Sequence, residues 1–119
     1  MVLLQRNAYL NQLFQGIGIP YYPCIGNHDD NRYYSLLNLN QIKQSYLSLT
    51  HDVIMDSSMS GTNYYKDFPE YKIRFIWLNA NVEGRYGYSD TTVEWLQNTA
   101  LKTEDGYSIC LFTHMDPES

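Results

Sequence analysis

Two apolar runs constrain this chain most, at residues 71–78 and 107–112, with helix signals between them. The first alternates, setting Tyr71, Ile73, Phe75 and Trp77 against Lys72, Arg74, Ile76 and Leu78. Period-two alternation rich in β-formers predicts a strand, and the apolar residues at its end predict that it becomes fully buried. Between the runs, Thr91-Thr92-Val93-Glu94 matches a capping box, with threonine first and glutamate three residues later. The helix it opens places Val93, Leu96 and Ala100 on one face and closes at Asp105-Gly106. Strand, helix and strand in this order predict an α/β layered fold. Ligands in such folds gather at loops beyond the strand ends.

The flanking sequence adds to this frame. Leu10, Leu13, Phe14 and Ile17 share one helical face, predicting a helix over about residues 3–15 that Gly16 and Gly18 end. Residues 19–25 read as a short buried strand, placed by Pro20 and Pro23 near a sheet edge or a strand start. The loop Gly26-Asn27-His28-Asp29-Asp30 follows. Residues 32–60 carry mixed signals, with one or two short helices across 39–49 and a loop at 57–61. Residues 64–68 read as a strand, Pro69-Glu70 as a turn and residues 79–88 as a loop.

The formal net charge is -5, and eight Lys and Arg residues are scattered along the chain. Phosphate-backbone binding needs clustered cations, so no nucleic-acid surface is expected. An anionic substrate would have to be attracted by bound metal ions instead. Cys24 and Cys110 form no CxxC pair and sit in apolar runs, which predicts reduced, buried thiols. No run approaches the roughly 20 apolar residues that cross a bilayer. The first residues lack the pattern of a signal peptide, so the default expectation is cytoplasmic.

Gly26-Asn27-His28-Asp29 carries the clearest chemistry. Glycine permits a sharp turn and a close approach of backbone to ligand. An asparagine carbonyl is a hard, neutral oxygen ligand. The histidine beside it can donate a proton, and a neighbouring carboxylate can fix its tautomer. A run of this kind straight after an apolar segment resembles the central motif of the calcineurin-like metallophosphoesterases. The surrounding residues extend the resemblance. Ile-Arg-Phe-Ile-Trp-Leu-Asn, Val-Glu-Trp-Leu-Gln and Ile-Cys-Leu-Phe-Thr-His are similar to later family segments, the last being the strand that delivers a metal-binding histidine.

That resemblance implies a β-sandwich flanked by helices and a hydrolase acting on phosphomonoesters or phosphodiesters. It implies two divalent metal ions (Mn, Fe, Zn or Mg) that hold the attacking hydroxide. Asn27 and His114 would bind the second metal, His28 would help the leaving group depart, and Asp29 would orient His28. The family also has an Asp-x-His pair, a Gly-Asp pair and a Gly-His-x-His motif, none of which occurs here. Its short His-x-Pro pattern is stretched to His114-Met115-Asp116-Pro117. The expectation is therefore one partial domain over residues 1–119, an internal piece whose exposed sheet edges favour self-association. A non-catalytic remnant of the fold, acting as an interaction module, is the alternative.

Other polar residues invite weaker readings. Asp30, next to the motif, could support its residues from behind, but solvation or a helix cap is the expected role. His51 beside Asp52 is expected at the surface. Asn79 is expected to serve strand-end turn chemistry. Arg85 is expected to be a solvated loop residue rather than a phosphate ligand.

Overall fold

The computed structural model describes residues 2–82 and 85–115. The chain is mixed α/β. Helix α1 (Val2–Ile17) and helix α2 (Leu39–Tyr46) precede strands β1 (Ile54–Met55), β2 (Tyr64–Phe68) and β3 (Ile73–Trp77). A small hairpin of β4 (Asn81–Val82) and β5 (Arg85–Tyr86) follows, then helix α3 (Asp90–Trp95) and strand β6 (Ser108–Phe112). The main sheet has the order β1-β2-β3-β6. Strand β3 is antiparallel to β2, with Tyr64 opposite Trp77, and parallel to β6, with Trp77 opposite Phe112.

The alternation in β3 divides the core between the two faces of the sheet. Trp77 and Tyr64 face one way with Ile25, Leu37, Ile42 and Leu47, so α2 and the segment before it cover that face. The Tyr64 and Trp77 rings stack at 4.8 Å, and Tyr22 and Phe112 each lie 5.3 Å from Trp77. Ile76 and Leu78 face the other way, with Trp95 at the end of α3 and with Leu96 and Ala100 beyond it. Arg74 shares that second face and is buried. Its guanidinium forms a fork with Asp67 at 2.7 and 2.9 Å, and Nη1 donates to the Ala100 and Lys102 carbonyls. A buried charge is tolerated when it is paired and hydrogen-bonded in this way.

Several elements differ from the sequence expectations. Residues 19–25 form no strand. Pro20 and Pro23 have no N–H to give a ladder, so the segment docks by isolated bonds. Ala80 N donates to Ile25 O at 2.9 Å and the Tyr64 hydroxyl to Pro23 O at 2.6 Å. Helix α1 forms and ends at Gly18, whose φ of 75° closes the last turn, but its Leu10, Leu13 and Ile17 are exposed. The cap of α3 is Ser89 rather than Thr91. Ser89 Oγ accepts from Thr92 N, Thr92 is buried, and Val93 is exposed. A π-helical turn at Leu96–Ala100 continues α3. Cys110 is exposed because every residue of β6 is, while Cys24 is half-buried and its thiol pKa is pushed up to about 11 by burial.

Candidate functional site

Strands β3 and β6 are parallel, so their C-terminal ends lie side by side, and Leu78 N donates to Phe112 O there at 3.0 Å. The chain beyond β3 carries Asn79 and Asn81, and the chain beyond β6 carries Thr113 and His114. The bond from Ala80 to Ile25 brings the turn at residues 26–30 to the same edge. The site thus sits beyond the strand ends, where α/β folds bind ligands.

Gly26 is needed here for close approach. A Cβ at this position would meet the His114 ring, with Cγ and Cδ2 at 3.0 Å. His114 therefore lies directly against Gly26, the residue before Asn27, and close enough to Asp29 to lower its pKa. Tyr88 fastens the His114 loop from the side. Its hydroxyl donates to Met115 O at 2.5 Å and bonds to Thr113 Oγ1.

Asp29 Oδ2 accepts the Gly26 N–H at 2.7 Å, so its hydrogen bond goes to the turn's own backbone rather than to His28. Its pKa is raised, first by burial, while the Gly26 N–H and then His114 pull it down. Both histidines pull the Asp29 pKa down, His114 more than His28. His28 is exposed, with its ring tilted against Tyr33 at 5.6 Å. It is open to a substrate approaching from solvent.

Sequence reasoning ranked the supporting role of Asp30 below solvation or capping, and did not single out Asn81. Asp30 is neither solvated nor a helix cap, being 1% exposed. It accepts from Arg32 N at 3.0 Å, from the Arg32 side chain at 3.2 Å, and from Asn81 Nδ2 at 2.8 Å. Asn79 is also fully buried, and more than a turn former. Its side chain donates to Thr62 Oγ1 and accepts from Asn81 N, both at 2.9 Å. No local pattern could have revealed the bonds from Asn79 to Thr62 and from Asn81 to Asp30, which join residues 17 and 51 positions apart. His51 pairs with Asp52 at 3.1 Å on the surface, as expected. The Arg85 side chain and the Asp116-Pro117 part of the stretched motif lie outside the described residues.

A cavity of about 670 Å³ adjoins this edge, walled by Leu36, Leu37, Leu39, Ile42, Met59 and Asn81. Most of its wall comes from residues 32–60, the stretch whose sequence carried the weakest signals.

The donors at the turn suit part of a divalent-metal shell, a hard amide oxygen from Asn27 and an imidazole from His114. Among the described residues, no three of His, Cys, Asp and Glu stand together as a metal-holding group. The same residues contain no helix long and apolar enough to cross a membrane. Comparison with family models, curated proteins and solved structures gives no match.

Proposed function

We propose that the chain contributes one half of the site of a metal-dependent phosphoester hydrolase of the calcineurin-like kind. The observation that carries this reading is the His114 ring seated on Gly26, which joins two distant sequence segments at one strand edge. Asn27 and His114 would hold one of two divalent ions. A bound ion there would attract and polarise a phosphoryl group, and an acidic chain with few cations needs such a device. His28, exposed beside Tyr33, is free to meet the leaving-group oxygen and give it a proton. Asp29 ties the turn to itself through Gly26. The cavity walled by Leu36, Leu37 and Met59 would receive the part of the substrate away from phosphorus.

The rival reading, a non-catalytic module with this packing, draws on the shortage of clustered ligands among the described residues. Hydrolysis of two substrates separates the two. A p-nitrophenyl phosphodiester has a good leaving group, and an alkyl phosphodiester needs its leaving oxygen protonated. The expected outcome is manganese-dependent, chelator-sensitive hydrolysis. In His28→Ala the alkyl ester should lose about 10²-fold or more and the p-nitrophenyl ester much less. Equal losses on both esters would remove the acid role from His28, and no metal-dependent hydrolysis would favour the module.

A further inference from the structure

We propose that Asn81, backed by Asp30, is the positioning residue that fixes how Asn27 and His28 leave their turn, an inference that rests on the site reading above. Asn81 is 3% exposed, and its side-chain amide donates to Asn27 O at 3.3 Å and to Asp30 Oδ2 at 2.8 Å. Arg32 Nη2 donates to the same two acceptors, Asn27 O and Asp30 Oδ2. The four residues close a ring of hydrogen bonds around one backbone carbonyl.

That carbonyl belongs to the peptide joining Asn27 to His28. Peptide planarity means that fixing its oxygen fixes the torsion after the Asn27 Cα and the torsion before the His28 Cα together. Both side chains then leave the turn in set directions. Asn81 is itself anchored. Its N–H donates to Asn79 Oδ1, Asn79 N donates to Asn63 Oδ1, and Asn63 Nδ2 bonds to Asp56 and Thr92. The turn is thereby referenced to the interior of the sheet, more than 50 residues away in sequence.

Manganese alone, titrated into the protein and followed by broadening of the His28 and His114 ring-proton signals, tests this. Residues behind metal ligands typically change affinity 10- to 100-fold when removed. Asn81→Ala should therefore weaken the apparent manganese affinity about tenfold or more. Asp67→Asn serves as the structural control. It weakens the fork with Arg74, which takes no part in the chain of bonds behind Asn81, and should lower Tm while leaving the affinity unchanged. Should Asn81→Ala fail to fold, Asp30→Asn keeps the side-chain volume, removes the charge facing Arg32, and is held to the same expectation. A folded variant that binds manganese like the unaltered protein would overturn the positioning role. Absence of broadening in the unaltered protein would overturn the site reading, and this inference with it.

Discussion

At Asp29, burial and hydrogen bonding pull in opposite directions. Burial raises its pKa, and the Gly26 N–H and His114 only partly offset that. A carboxyl with a raised folded-state pKa adds stability in full below its unfolded value and loses it as pH rises through the folded value. Asp29→Asn keeps an oxygen for the Gly26 N–H and cannot ionise. Its Tm should match the unaltered protein near about pH 3.5 and exceed it near about pH 7. Thermal melts across that range check this, and a variant less stable at neutral pH would show that the charge itself is wanted. Asn27, His28 and Asp29 were legible in the sequence because they are contiguous, and His114 because it ends an apolar run. Asp30 and Asn81 were not. A single carboxylate or amide in a loop has no periodicity, and its partner is set only when the chain folds back.

Among the elements, sequence pattern was most reliable where side-chain alternation and hydrogen bonding agree. Strand β2 occupies the residues expected of it, and β3 lies within its run. The segment at 19–25 had the right composition for a strand but two prolines that cannot donate. Helix α2 was only vaguely foreseen, although its start is well defined. Asn38 Oδ1 accepts from Gln41 N at 2.9 Å and Gln41 Oε1 accepts from Asn38 N at 3.0 Å, a reciprocal cap. Because Ile42 on this helix is buried beneath the sheet, the cap bears on the core. Asn38→Ala should cost about 1 kcal/mol in a denaturant titration. A cost near zero would mean that packing alone holds α2.

At the scale of the whole molecule, the core is thin on one side. The radius of gyration is 14.7 Å, against about 13.5 Å for a compact chain of this length. Ile109, Leu111 and Phe112 on β6 are each 38% exposed. Among the described residues β6 pairs only with β3. An exposed apolar edge strand invites pairing with another chain. Sedimentation should therefore show concentration-dependent association, reduced by Leu111→Lys, and a monomer at all concentrations would count against it. This consequence could be drawn from the sequence only in outline, because the exposure of β6 depends on what covers it.

The most direct test of the central claim, that the turn and the end of β6 share one divalent ion, is a manganese titration of the unaltered protein. The three histidine rings report separately by NMR. His28 and His114 should broaden together at manganese concentrations that leave His51, paired with Asp52 at the surface, sharp. All three rings broadening alike, or His114 staying sharp while His28 broadens, would contradict a shared site.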